Sequence, residues 1–183
     1  MNAVGGAQSS EQLQGPGPRR PASLALVDLP DVLRVDVRDV VGSALELLSV
    51  TRRLRGVQVS LELPGDPVPA NVSHRRLQQV LLLLLSHAAD AANGQGVRVV
   101  VDAADDFGDE PPRFQFQVAG ASLSARELQA VFLSPMLVGP LHRKLARARE
   151  LTESMGGTLA VSSSAAAGIT VTVELPAPGM SSW

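Results

Sequence analysis

The stretch ELTESMGGTLAVSSSAAAGITVTVELP, residues 150–176, decides the fold of this 183-residue chain. Its opening residues close a helical segment, Leu141 to Met155, and Gly156-Gly157 stops that helix because glycine accepts the backbone a helix end requires. Thr158 to Ser163 and Ile169 to Leu175 then read as two strands paired across the loop Ser164 to Gly168. In the second strand Ile169, Val171, Val173 and Leu175 alternate with Thr170, Thr172 and Glu174, giving one apolar and one polar face. A helix delivered through a glycine stop into a strand pair implies helices layered on an antiparallel sheet.

The next most informative stretch is SHRRLQQVLLLLLSHAADAA, Ser73 to Ala92. Ser73 is an N-cap and Asn93-Gly94 a stop, so the run between them is a helix. Leu81 to Leu85 cover every face of that helix, which suits enclosure between a sheet and neighbouring elements. The apolar run Val80 to Leu85 is far shorter than the roughly 20 residues of a membrane span, and polar Ser86, His87 and Asp90 follow it, so no membrane insertion is expected.

Between these anchors Val97, Val99 and Val101 mark a strand, Ala103 to Pro112 an acidic loop, and Phe114, Phe116 and Val118 a further strand. SARELQAVF, Ser124 to Phe132, carries Ser three residues before Glu127, the capping-box arrangement of a short helix. Upstream, Val37, Val40, Val41, Ala44, Leu45, Leu47, Leu48 and Leu54 recur at three-and-four spacing from Val35, predicting a helix of about 17 residues that Gly56 stops. Val57, Val59, Leu61 and Leu63 alternate in a strand closed by Pro64-Gly65, and a Pro-rich loop leads to Ser73. The order is helix, strand, helix, strand, strand, helix, helix, strand, strand. It predicts an α+β two-layer α/β sandwich: a mixed, mostly antiparallel sheet with helices on one face.

A domain of about 150 residues buries roughly 68–70% of its unfolded surface and needs no disulfide or metal staple. The chain has no cysteine, which excludes a thiolate zinc site, a Cys nucleophile and a disulfide framework, and fits a cytoplasmic location. A net charge of −2 gives no general attraction to nucleic acid or anionic lipid. Residues 1–22, rich in Gly, Pro, Ser and Gln, read as a disordered tail. Residues 23–34 form an apolar connecting segment, 35–177 the domain, and 178–183 a tail. No basic segment followed by an apolar stretch opens the chain, so no secretory signal is expected.

The order of elements, and three phrases within it, resemble the histidine-kinase-like ATPase domain (GHKL), the Bergerat fold of sensor kinases, type II topoisomerases, the Hsp90 chaperone and MutL. RRLQQVLLLLLSHAADAA is similar to the family's N-box helix, SARELQAVF to the helix after its DxGxG loop, and residues 150–176 to its C-terminal helix, double glycine and strand pair. The resemblance spans roughly Val35 to Pro176 and implies binding of Mg-ATP in three steps. An N-box Asn holds magnesium, and the alignment puts His87 there with Leu83 one turn earlier; magnesium prefers oxygen ligands, whereas imidazole offers nitrogen. A DxGxG Asp accepts from the adenine amino group, and Val118, Gly120 and Ser122 stand at its positions, so only the first glycine is kept. A Gly-rich lid wraps the phosphates, and here MLVGPLHRK, Met136 to Lys144, has Gly139 as its single glycine, with Pro140 removing an amide donor. Arg143 and Lys144 offer point charges to a phosphate, or simply solvate a helix start.

His87 is either a phosphoacceptor or a polar residue closing a buried helix, and Asp90, three residues on, either orients its ring or is solvated. His74 and His142, near helix starts among arginines, read as surface residues. The carboxylate groups Asp102-Asp105-Asp106-Asp109-Glu110 and Asp28-Asp31-Asp36-Asp39 lack EF-hand order, so no metal site is assigned. No GxSxG elbow is present, and no hydrolase triad is read. Leu24, Leu26 and Leu29, with the lid remnant's Met136, Leu137 and Val138, are the candidates for an exposed apolar interface.

The expectation is a degenerate Bergerat-type domain that no longer turns over ATP, with no catalytic residue and no cofactor. It would act as a regulatory or adaptor module in bacterial signal transduction, bound to a kinase, a response regulator or a second copy of itself. Nothing before Val35 reads as a two-helix phosphoacceptor hairpin, so a complete sensor kinase is not expected. The rivals are an atypical subunit that binds Mg-ATP weakly and a phosphotransfer protein using His87.

Overall fold

A computed structural model describes residues 32–104, 110–134 and 136–176. The elements run β1 (Val32–Asp36), α1 (Val37–Val50), β2 (Val59–Glu62), β3 (Pro69–Ser73), α2 (His74–Ala92), β4 (Val97–Asp102) and β5 (Arg113–Val118). They continue as α3 (Ala125–Leu133), a 3-10 turn (Pro140–His142), α4 (Arg143–Ser154), β6 (Thr158–Ser164) and β7 (Gly168–Glu174). Strands β2-β4-β5-β7-β6 form one sheet in that order, antiparallel throughout except for the parallel β2–β4 pair. This is the expected α+β sandwich.

The period-two pattern of each strand becomes rows across the sheet. Val97, Val118 and Ile169 stand opposite one another; so do Val99, Phe116 and Val171, and then Val101, Phe114, Val173 and Leu159. All of these are buried, and Phe114 meets Phe116 edge to face at 5.7 Å. Such aromatic and β-branched pairs contribute about 0.2–1 kcal/mol each beyond their burial. The opposite face is polar, with Arg98 on Glu62 and Gln115 donating to Thr172.

Against the apolar rows lie α2 and α4, antiparallel to each other, since Lys144 at the start of α4 meets Asp90 near the end of α2. Leu77, Val80, Leu81, Leu84, Leu85 and Ala88 of α2 are buried, and Leu82 and Leu83 are partly so, which bears out the reading of the leucine run as an enclosed helix. Ser73 caps α2 by accepting from the Arg76 amide at 3.2 Å, and Ser124 and Glu127 form the expected capping box on α3.

A two-stranded sheet goes beyond what the sequence pattern announces. Pro69–Ser73, inside the expected Pro-rich loop, pairs antiparallel with Val32–Asp36, so Val35 stands opposite Ala70 and belongs to a strand and not to α1. Asp36 caps α1 instead, accepting from the amides of Arg38 and Val68 at 3.1 Å each. The same carboxylate takes Arg38 Nη2 at 2.8 Å, while Arg38 Nη1 reaches the carbonyls of Pro64 and Gly65. At its other end α1 stops at Val50, short of the expected Leu54, because the chain turns at Arg52 with φ of 58°. The tails 1–22 and 178–183, and Leu24, Leu26 and Leu29, lie outside the described residues.

Candidate functional site

Where α2 meets the turn before α4, two imidazoles face each other: His87 Nε2 is 3.0 Å from His142 Nδ1, with ring centroids 5.3 Å apart. His87 is 1% exposed and His142 4%. His142 is therefore not the surface residue that its arginine neighbours suggest. Its sequence does carry the signal, because 142, 145, 146, 149 and 152 recur at helical spacing, and Leu145, Ala146 and Thr152 are buried with it. Burial, reinforced by the charge of His142, pushes the His87 imidazole down to about 4, and burial lowers His142 as well. Both rings are thus neutral near pH 7, and one must donate N–H to the lone pair of the other.

The surrounding groups have partners of their own. Asp90 accepts from Lys144 Nζ at 2.5 Å, so this carboxylate is held by α4 while His142 holds the His87 ring. Glu127 of the α3 capping box places Oε1 3.7 Å from His142 Nε2. Arg143 reaches back to the Val138 carbonyl at 3.5 Å. Leu83, one turn before His87, is partly buried.

The second group of candidate residues lies at the end of β5. Val118 is buried in the sheet, Gly120 turns the chain with φ of 71°, and Ser122 is exposed. The Gln95 side chain packs over Gly120 so closely that a Cβ there would lie 2.8 Å from its amide atoms. Gln95 follows α2 in the turn to β4, and its role is not legible in the sequence because its context there is only that of a turn. The next loop is anchored by the Leu123 amide donating to Ser163 Oγ at 2.8 Å.

Of the expected apolar interface, Met136 (88%) and Leu137 (66%) are exposed, with Leu133 and Leu141 beside them in sequence. Val138 is 3% exposed and packs into the core, so it leaves the candidate surface. Gly139 has open space around its α-carbon, and its carbonyl accepts from the His142 amide at 3.0 Å. Among the described residues no three His, Cys, Asp or Glu side chains group closely enough to hold a metal ion, and no helix is long and apolar enough to cross a membrane.

The fold has well-matched counterparts. The mycobacterial sensor histidine kinase MprB superposes with a TM-score of 0.65 at 20% identity, covering 81% of this chain and 99% of that one. The catalytic domain of histidine kinase ThkA gives 0.67 at 16% identity over 80% and 95%, and the ATP binding domain of PrrB from Mycobacterium tuberculosis 0.63 at 18% over 82% and 100%. In sequence, sensor histidine kinase MtrB of Mycolicibacterium paratuberculosis is 33% identical over 72 residues, which is 39% of this chain and 13% of that protein. The chain thus spans a small part of that curated relative. Residues 73–179, from the cap of α2 past the last strand, match the histidine kinase-, DNA gyrase B- and HSP90-like ATPases as a family, and it is to this family that the chain belongs.

Proposed function

We propose that this chain is a degenerate member of its family that does not hydrolyse ATP and serves as a regulatory or adaptor module in bacterial two-component signalling. The observation that carries this reading is the buried His87–His142 hydrogen bond. At the position that the resemblance gives to a magnesium ligand stands a neutral imidazole, and its Nε2 is already taken by a second ring. A hard divalent cation selects oxygen donors, and this donor set offers it buried nitrogen. The nearest carboxylate on α2, Asp90, is engaged by Lys144.

The other two contacts point the same way. The Val118 side chain offers no acceptor to an adenine amino group. Pro140 removes an amide donor from the segment that would cradle phosphates. The residues therefore do not fit Mg-ATP. Burial of His87 to 1% exposure also argues against phosphotransfer, which requires the ring nitrogen to reach another protein.

The partner in this reading is a protein: a kinase, a response regulator or a second copy, met in the cytoplasm through the exposed side chains of Met136 and Leu137. In this reading residues 35–177 are the domain, with the strand from Val32 joined to it. Calorimetric titration of the full chain with Mg-ATP tests the central claim. No saturable heat is expected up to millimolar nucleotide; micromolar affinity abolished by His87→Ala would refute it.

A further inference from the structure

Between α1 and β2 the chain passes through TRRLRG, residues 51–56, which puts three arginines into four positions. Ser49, Arg52, Leu54 and Arg55 line a surface cavity of about 460 Å³. Among the described residues the guanidiniums of Arg38, Arg98, Arg113, Arg147 and Arg149 each meet a carboxylate, whereas those of Arg34, Arg75, Arg126 and Arg143 meet none, so what sets Arg52 and Arg55 apart is the cavity they share. Among the described residues Arg52, Arg53 and Arg55 have no such partner, and their side chains make no hydrogen bond.

Helix capping does not account for them. Cations do gather at helix C-termini, where the last carbonyls lack partners. Here the backbone amides of Thr51, Arg52 and Arg53 donate to Leu47, Ser49 and Leu48, and Thr51 Oγ1 donates to Leu47 as well. The carbonyls of Leu47, Leu48 and Ser49 are satisfied without any guanidinium. Arg52, moreover, sits at φ of 58°, a left-handed conformation that glycine takes freely and an L-residue takes at a cost.

From this arrangement we infer that the α1–β2 turn is an oxyanion site that binds a phosphoryl group through Arg52, Arg55 and the Ser49 hydroxyl. The planar fork of each guanidinium matches two oxygens of a tetrahedral phosphoryl group, and the hydroxyl donates to a third. Leu54, partly buried, supplies an apolar wall. This site is separate from His87 and stands whether or not nucleotide is bound.

The test follows the arginine Nε–Hε resonances of the full chain at fixed ionic strength while it is titrated with inorganic phosphate, with a short phosphoserine peptide, and with that peptide unphosphorylated. Saturable shifts at Arg52 and Arg55 are expected with the phosphate-bearing probes alone. Arg52→Gly and Arg55→Gln should each weaken binding about tenfold, the effect of losing one charge-assisted bidentate contact. Arg53→Gln, outside the cavity lining, should change it less than about twofold, since it removes charge without removing a contact. Tighter binding of the phosphopeptide than of phosphate assigns the group to a protein-borne source, and equal binding to the free ion. Absence of saturable shifts, equal binding of the unphosphorylated peptide, or an equal loss in all three variants would overturn the proposal, the last because it would mark diffuse charge and not a site. Amide spectra of α1 and β2 that match the wild type establish that each variant is folded.

Discussion

His87 and His142, 55 positions apart in sequence, share one buried hydrogen bond of 3.0 Å that ties the end of α2 to the turn before α4. Removing the His142 ring leaves the His87 nitrogen buried with nothing in its place. His142→Ala should cost about 1–3 kcal/mol for that unsatisfied nitrogen, in addition to the lost packing. Replacing both rings by leucine should cost less than the sum of the two single leucine changes, because no polar group is then left buried alone. Urea unfolding of the wild type, the two single leucine variants and the double variant measures this coupling; strict additivity would show the hydrogen bond to be energetically silent.

The same pair sets an acid limb in the stability curve. An imidazole in the unfolded chain takes up its proton near pH 6.5, whereas burial holds His87 down to about 4 and lowers His142. The unfolded state thus binds more protons over this interval, and stability falls as pH drops from about 6.5 towards 4. For His87 alone the full loss is on the order of 3 kcal/mol, since each tenfold weakening of proton affinity on folding corresponds to about 1.4 kcal/mol. Thermal unfolding at steps between about pH 7.5 and 4 should show this limb, and it should be much flatter in the His87→Leu/His142→Leu variant.

Local patterns recorded most of this architecture in the sequence. The Ser73 and Ser124 caps, the Gly156-Gly157 stop and the alternating valines of β4 and β7 each act within a few residues, and the structure places them as read. What the sequence hid is non-local. The β1–β3 sheet joins residues more than thirty positions apart, and β3 opens on a proline, which reads as a loop signal. His142 pairs with His87 only because α4 runs antiparallel to α2, so its polar neighbours argue for the surface while its helical spacing argues for the core. Val138 reads as exposed because it lies outside regular structure, yet irregular backbone still buries side chains.

Asp36 organises the junction of β1 and α1 through one carboxylate, capping α1, accepting from the Val68 amide and gripping Arg38. These partners, the Arg38 side chain foremost, hold its carboxyl below the ordinary range. Asp36→Ala should cost about 2 kcal/mol, the upper end for a lost N-cap, because the Val68 amide and the Arg38 fork lose their acceptor at the same time. Asp36→Asn keeps an acceptor for the cap and should recover at least half of that loss. Denaturation midpoints at pH 7 distinguish the two; equal losses would mean that the charge, and not the cap, is what matters.

Gly168 and Val118 give the sharpest steric prediction. Gly168 opens β7 at φ of 78°, and a Cβ built on it would come within 2.0 Å of the Val118 carbonyl oxygen. The obstacle is backbone, so no side-chain rotation relieves it. Val118 is itself fixed between Val97 and Ile169 in the middle of the sheet, and moving its carbonyl would break ladder pairing on both sides. Gly168→Ala should therefore destabilise the protein by at least ~2 kcal/mol, combining left-handed strain with the clash. Gly139→Ala is the matched control, with no heavy atom within 4 Å of its built Cβ and a negative φ of −58°. It should change stability by less than about 0.5 kcal/mol. Melting temperatures of the two variants decide the matter: similar values would mean that the β5–β7 contact yields more easily than its packing implies.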